Sequence, residues 1–375
     1  MPSGTVTVSG YYGCGNAGDE AVLAGMREAF GQLAGGGVRL VPLSENPDQT
    51  RALHGLDARQ RMSMRSVRSA LSESQLLISG GGSLLQDTTS LRSLIYYLWI
   101  ARMGLQAKVP VMFYAQGIGP LRRPAARWLV RMTANRVSYI TVRDEASEHL
   151  LKSIGVNRPP IEVTADPAFG LRPAATDKVT GAWGQTPIPP PGVSKIGISI
   201  RSWGADRDVQ IEEYGSLLAN LSDKTGARLV LLPMQLPGDA EFSDAVSRKS
   251  GRDIPVIRGI TSPTVMLGMI GSMDVIVAMR LHALIFAARM ATPLFALAYD
   301  PKVDSLMDRL ALSEYSTPWI GFDSNLIAGK VRGLLGERAS RSAALARRAV
   351  QLESLALRNA EIALSLMQRG SRGPG

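Results

Sequence analysis

Metal-binding residues are scarce in this chain. Its 375 residues include one cysteine, Cys14, and three histidines. One cysteine excludes an intramolecular disulfide framework and fits a reducing compartment. With three scattered histidines it leaves no Cys/His zinc set, and no His/Asp/Glu cluster of ligand type stands out. No metal and no cofactor are expected. Aromatic residues make up only 6%, and the basic residues are dispersed, so there is no base-stacking platform and nucleic acid is not an expected partner. Long apolar runs are missing too. The stretches near 93–105 and 275–290 are broken by Arg102 and by Arg280 and His282, short of the roughly 20 residues that span a bilayer. MPSGTVTVSGYYG at the start lacks the basic and apolar regions of a signal peptide. A cytoplasmic location is expected.

Acidic residues are outnumbered, 32 against 42 Lys and Arg, for a net charge of +10. That balance favours phosphorylated substrates or an anionic membrane face. With 45% hydrophobic and 20% charged residues the chain has enough apolar material for a proper core.

Strand-length apolar runs alternate with helix-length segments. TVTVSG (5–10), VRLVPL (38–43), QLLISG (75–80), VPVMFYA (109–115) and SYITVR (138–143) read as strands, with helices at 19–34, 90–104, 122–135 and 144–154. Residues 1–170 therefore read as a doubly wound α/β domain. LRPAATDKVTGAWGQTPIPPPG (171–192) has no sustained period and a triple proline, and reads as a linker. The rhythm restarts over 193–337 with KIGISIRSW (195–203), a helix from about 211, ARLVLLP (227–233), IPVIRG (254–259), DVIVAM (274–279) and PLFALAY (293–299). Residues 338–375 form a basic amphipathic helix (338–369) and a tail, read as the solvated face of a packed helix, with a basic membrane-surface role as its alternative. The fold class is α/β, with two doubly wound, Rossmann-like domains facing across a cleft. Ligands of such sheets bind beyond the carboxyl ends of the strands.

Three loops at strand ends are rich in glycine. GYYGCGNAGDEAVL (10–23) has Gly13, Gly15 and Gly18 in the G-x-G-x-x-G spacing. Asp19 is placed to cap the following helix and fill its anion site, with Glu20 beside it, which disfavours a nicotinamide dinucleotide. Tyr11, Tyr12, Asn16 and Asp19 read instead as a polar pocket for sugar hydroxyls, although a tight turn before a capped helix accounts for the same residues. SGGGSLLQD (79–87) brings Gly80, Gly81 and Gly82 to a strand end, and AQGIGPL (115–121) brings Gln116. Together the loops mark a binding edge.

In VAMRLHALIFAARM (277–290), Arg280 and His282 fall where strand gives way to helix. Backbone N–H groups there already carry positive partial charge, so an anion is required opposite them. His54 and His149 have no such context and read as surface residues.

GYYGCGNAGDE, GGGSLLQD, QGIGPL, VRDEAS (142–147), ADPAF (165–169), RLHALIFA (280–287) and PLFALAYDPKVDSL (293–306) follow one another in order over about 10–306. Together they resemble the polysaccharide pyruvyltransferase family, in particular its CsaB-type bacterial members. The resemblance implies a GT-B fold and transfer of the enolpyruvyl carbons of phosphoenolpyruvate onto a sugar, giving a pyruvate ketal and phosphate. It further implies a lipid-linked cell-wall polysaccharide precursor as acceptor, whose pyruvylated polymer anchors surface-layer proteins, and at most peripheral contact with the inner membrane face. The acceptor is expected on the first domain and the donor on the second. Arg280, Leu281 and His282 then belong to the donor site, where Arg suits carboxylate and phosphate and His282 serves as general acid. Lys302 follows the next strand end. Arg143 is expected to reach across the cleft, with a capping pair to Asp144 as its alternative, and Arg201 is a further donor-site candidate. A GT-B glycosyltransferase using a nucleotide-sugar remains open, since Asp300 and Asp304 offer ribose-binding acids.

Overall fold

A computed structural model of the chain describes residues 3–88, 90–184, 186–204 and 206–370. Gln185 of the expected linker and residues 371–375 of the expected tail lie outside them. By packing, the chain divides into two units. Unit 1 comprises Met1–Cys14, Asp19–Leu171 and Leu352–Gly375, and unit 2 comprises Gly15–Gly18 and Arg172–Gln351.

Unit 1 alternates strand and helix from the start: β1 (Gly4–Tyr12), α1 (Ala17–Ala34), β2 (Val38–Ser44), α2 (Pro47–His54), β3 (Arg59–Gln60) and α3 (Met64–Ser72). It continues with β4 (Leu76–Leu85), α4 (Leu91–Gln106), β5 (Val111–Ile118), α5 (Pro124–Ala134), β6 (Tyr139–Val142), α6 (Glu145–Ser153) and β7 (Ile161–Val163). The seven strands are parallel, in the order β3-β2-β1-β4-β5-β6-β7. The order in which successive strands are added across the sheet reverses between β1 and β4, the place where doubly wound sheets open for a ligand.

In unit 2, α7 (Thr176–Gly181) is followed by β8 (Lys195–Ser199), α8 (Arg207–Thr225), β9 (Arg228–Leu231), α9 (Gly238–Ser250), α10 (Pro263–Gly271) and β10 (Val275–Ala278). Then come α11 (Leu281–Arg289), β11 (Leu294–Ala298), α12 (Pro301–Arg309), β12 (Ser316–Pro318), α13 (Ser324–Gly336) and α14 (Arg338–Gly370). The five strands are parallel in the order β12-β11-β10-β8-β9, with the reversal between β10 and β8. The run at 254–259 contributes only a bridge from Val256 to Leu231 rather than a strand. Within 171–192, α7 is helical, and its Val179 packs at Gly268 of α10.

Each face of the unit 1 sheet carries its own core. On one side Val67 and Leu71 of α3, Leu98 of α4 and Val130 of α5 pack with Leu77, Val111 and Phe113. On the other, Val22 and Met26 of α1 join Ala360, Ala363 and Met367 of α14 over Val6, Val8 and Tyr114. The final helix thus has a buried apolar stripe and a charged outer side, and its Arg358 pairs with Glu162 and Glu361. Asn359 is the one polar side chain α14 buries completely among the described residues. It accepts from Thr164 Oγ1 at 2.8 Å and donates to the carbonyls of Ala165 and Ala356 at 3.1 and 3.0 Å. Asn359→Ala removes the acceptor of Thr164 Oγ1 and the donor to the buried Ala165 carbonyl. It should lower stability by about 1–3 kcal/mol, read as a fall in the urea midpoint at unchanged slope, whereas an unchanged midpoint would show that α14 is held by its apolar stripe alone.

Candidate active site

Four adjacent strand ends of unit 2 supply one connected set of polar side chains. Arg201 follows β8, Gln235 and Asp239 follow β9, Arg280 and His282 follow β10, and Tyr299 and Lys302 follow β11. Arg201 and Arg280 stand on the two strands that flank the reversal point.

The anion opposite Arg280 belongs to the protein. Arg280 is the N-cap residue of α11, where no side chain caps the helix. Its Nε donates to Asp239 Oδ2 at 2.8 Å, its Nη2 donates to Asp239 Oδ1, and Nη2 also reaches Gln235 Oε1 at 3.1 Å. Asp239 Oδ2 accepts from the backbone N–H groups of Met234 and Gln235 as well, at 3.2 and 3.0 Å. Both residues are buried, Asp239 at 3% and Arg280 at 8% exposure. A bidentate carboxylate therefore meets the charge that the sequence assigns to a ligand.

Arg201 is different. It is half-buried, and its guanidinium lies 4.7 Å from the Trp203 ring centre and 5.9 Å from that of Tyr299. Among the described residues it forms no ion pair with a carboxylate. Burial, and then the neighbouring Arg280 charge, pull it below the usual arginine range, with Tyr299 and Asp239 opposing. Lys302 lies on the same tyrosine, its Nζ 5.2 Å from the Tyr299 ring centre, and pairs with Asp300 at 3.2 Å. Asp300 also caps α12 through Lys302 N–H at 3.1 Å. Ser199, at the end of β8, keeps a buried hydroxyl without a partner. Three cations thus share two carboxylates, which leaves the strand-end cluster one anion short.

His282 and Leu281 open α11, with Leu281 buried and His282 half-buried. The imidazole packs on the backbone of Gly18, where an added Cβ would overlap Nδ1. Residues 15–18 are bonded to the loop after β9: Ala17 N–H donates to Met234 O at 2.9 Å, and Asn16 bridges Gln235. Asn16, not Asp19, caps α1, its Oδ1 accepting from Gly18 N–H at 2.9 Å. Asp19 lies within the first turn. The third glycine of G-x-G-x-x-G therefore makes room for an imidazole rather than a pyrophosphate.

The glycine loops of unit 1 serve the fold more than a ligand. Tyr12 is fully buried and donates to Gly80 O at 3.0 Å, so it is a core residue and no pocket wall. Gly80, Gly81 and Gly82 all have positive φ within β4. Their close neighbours are Tyr114, Val22 and the Asp19 carboxylate. Gln116 is wholly buried, its Nε2 donating to Ser79 O at 3.0 Å. Arg143 Nη1 donates to Asp166 at 2.9 Å and Nη2 to Ser83 Oγ at 2.7 Å, and a Cβ on Gly117 would sit 2.7 Å from Nη2. Asp144 caps α6 instead of pairing closely with Arg143. His54 is buried, not superficial: its Nε2 meets Glu20 at 2.7 Å, and Glu20 accepts from Gly13 N–H at 2.8 Å. His149 is exposed. Tyr11 is half-buried, with Arg61 5.6 Å from its ring centre. Burial raises the Cys14 thiol above its ordinary value, which suits a packed residue and not a nucleophile. No group of three His, Cys, Asp or Glu among the described residues is arranged to hold a metal ion.

A sequence profile of the Polysaccharide pyruvyl transferase family matches residues 16–301. The chain belongs to the polysaccharide pyruvyl transferase family. The matched stretch contains Arg201, Asp239, Arg280, His282 and Tyr299 and stops one residue before Lys302. No curated protein matches the sequence. Solved structures with both units in common are distant in sequence. A UDP-GlcNAc 2-epimerase from Neisseria meningitidis bound to UDP-GlcNAc is 12% identical, covering 97% of this chain and 99% of its own, with a TM-score of 0.62. Anabaena Alr3699/HepE in complex with UDP and glucose is 12% identical over 98% of each chain, with a TM-score of 0.59. The wall teichoic acid polymerase TagF is 14% identical, covering 98% of this chain and 89% of its own, with a TM-score of 0.59. At this distance the likeness gives the fold, two Rossmann-like domains of the GT-B kind.

For a polysaccharide pyruvyl transferase, the contact between Gly18 and His282 is a direct handle on the site. Gly→Ala inside a helix ordinarily stabilises by about 1 kcal/mol. Gly18→Ala should instead destabilise and depress turnover, because the methyl displaces the imidazole. In a thermal melt, His282→Ala should restore the stability of Gly18→Ala while leaving turnover low, a coupling expected only between touching residues. Additive effects would place the ring elsewhere.

Proposed function

We propose that this enzyme takes its pyruvyl carbons from phosphoenolpyruvate and sets them, as a ketal, on a sugar of a lipid-linked cell-wall polysaccharide precursor, as CsaB-type members do. The observation that carries this reading is Arg201, a half-buried guanidinium with no carboxylate of its own, set beside Arg280. Phosphoenolpyruvate brings a carboxylate and a phosphate, and arginine binds either in bidentate fashion. Bound there, it supplies the missing charge and offsets the burial cost of Arg201. The uncapped start of α11 adds N–H dipoles for the same anion. Arg280 contributes charge and, through Asp239, positions the loop after β9. Lys302 supplies a further point charge beside Tyr299.

The chemistry begins at the methylene carbon of the donor. His282 delivers a proton to it, turning CH2 into CH3 and building positive character on the central carbon. One sugar hydroxyl adds to that carbon, and its proton returns to the imidazole. A second hydroxyl then displaces phosphate, which leaves with the second proton. The acceptor side is assigned to unit 1, where Tyr11 and Asp19 keep aromatic and carboxylate character near the start of α1. Attachment is cytoplasmic and peripheral, at the inner face of the membrane, and the product polymer serves to anchor surface-layer proteins. Among the described residues no helix is long and apolar enough to cross a membrane.

The test is phosphate release from phosphoenolpyruvate with a panel of lipid-diphosphate disaccharides, with UDP-sugars as control donors. Release that depends on acceptor supports the reading, and turnover of a UDP-sugar instead would replace it with glycosyl transfer. His282→Gln should lower kcat by about 10²–10⁴-fold, the usual contribution of a positioned acid. If only KM for phosphoenolpyruvate rises, His282 binds the donor and another group delivers the proton.

A further inference from the structure

The net charge of this chain is localised. Between Arg61 and Arg143 stand twelve Lys or Arg against two acids, Glu73 and Asp87. That excess of ten equals the net charge of the whole chain, so the remaining residues are balanced. Arg61 and Arg143 are paired with acids outside the stretch, Glu45 and Asp166, and neither acid within it neutralises the other ten cations. Glu73 pairs with Arg39, and Asp87 is buried, accepting from the backbone N–H groups of Arg122 and Arg123.

The stretch builds α3, α4 and α5, which lie side by side on one face of the unit 1 sheet. Their outward sides carry exposed Arg65, Arg68, Arg92, Arg123, Arg127 and Arg131. Among the described residues none of these six forms an ion pair. By contrast, three of the six arginines of α14 are in ion pairs: Arg338 with Asp274, Arg341 with Glu337, and Arg358 with Glu162.

Exposed apolar side chains gather on the same face. Met62, Met64, Ile95, Trp128 and Met132 are between 45% and 64% exposed, and they are five of the ten large hydrophobic residues exposed among the described residues. On α5, Arg127, Trp128, Arg131 and Met132 sit at the one-turn spacing that puts them on one side. Between α3 and α4 runs a groove of about 410 Å³ floored by Met64, Leu71, Trp99 and Met103, with Arg68 at its edge.

We propose that the outer face of α3, α4 and α5 docks on an anionic lipid bilayer, with guanidinium groups at the lipid phosphates and Trp128, Met64, Ile95 and Met132 in the interfacial layer. Cations supply attraction to the anionic surface, while aromatic and thioether side chains gain from leaving water. Nucleic acid would use the charge but leaves the methionines and Ile95 without a role. The proposal builds on the reading of a lipid-linked acceptor, but vesicles without donor or acceptor test it, so its failure and that of the pyruvyl-transfer reading are separable.

The full chain is co-sedimented with vesicles of phosphatidylcholine alone and of phosphatidylcholine with phosphatidylglycerol. Binding should require phosphatidylglycerol. With about fivefold attraction per cation near such a surface, Arg65→Ser, Arg68→Ser, Arg127→Ser and Arg131→Ser combined should reduce partitioning by well over tenfold. Arg347→Ser on α14 should change it little. Brominated lipid should quench tryptophan emission of the wild type, and Trp128→Phe should abolish most of that quenching; both variants should keep the wild-type melting temperature. Equal binding to neutral vesicles, insensitivity to the fourfold variant, or no quenching at Trp128 would overturn the proposal. So would an RNA oligonucleotide that binds more tightly than the vesicles and depends on the same arginines.

Discussion

The strand-end cluster of unit 2 depends on the ion pair between Arg280 and Asp239. The two residues lie 41 positions apart, on the helices that follow β10 and β9, and each is buried. Their pairing ties the loop 234–236 to the start of α11, and that loop in turn holds residues 15–18 by backbone bonds. His282 rests on Gly18 as a consequence. Removing one partner would strand a buried charge at a cost of about 3–5 kcal/mol. The pair is therefore a framework contact whose by-product is chemical: with Asp239 committed to Arg280, Arg201 is left without a carboxylate.

The family motifs of unit 1 converge in a comparable way. Ser83, Gly117, Arg143 and Asp166 come from four of them and meet in one buried cluster. Glu20, from the first motif, bridges the backbone of Gly13 and the imidazole of His54. These residues shape strand ends and loops. Of the residues that the first motif offers for a pocket, Tyr11 and Asp19 are half-buried where Tyr12 is enclosed.

Much of the fold is legible in the sequence because buried parallel strands are continuous apolar runs. Every such run in the first half lies on an observed strand, and α14 spans nearly the range its periodicity predicts. The strands β3 and β7 escape notice because two or three residues carry no period, and Val256 makes a bridge where six apolar-rich residues predict a strand. The candidate site is legible in place but not in balance. Arg201 stands out only once its neighbours show that it lacks an acid, and no spacing rule links Asp239 to Arg280. Tyr12 and Gln116 read as pocket residues because they are polar at strand ends. The fold turns them inward, where single backbone carbonyls satisfy the Tyr12 hydroxyl and the Gln116 Nε2.

The central claim is that the anion missing from the Arg201 and Arg280 cluster is the donor. Calorimetric titration of the enzyme with phosphoenolpyruvate, in the absence of acceptor, tests it most directly. The account predicts one site whose affinity falls about 10-fold or more in Arg201→Gln, the size of a lost charge-assisted contact of roughly 1.5–3 kcal/mol, with no comparable binding of UDP. Unchanged affinity in Arg201→Gln, or UDP binding that displaces phosphoenolpyruvate and depends on Arg201, would contradict it.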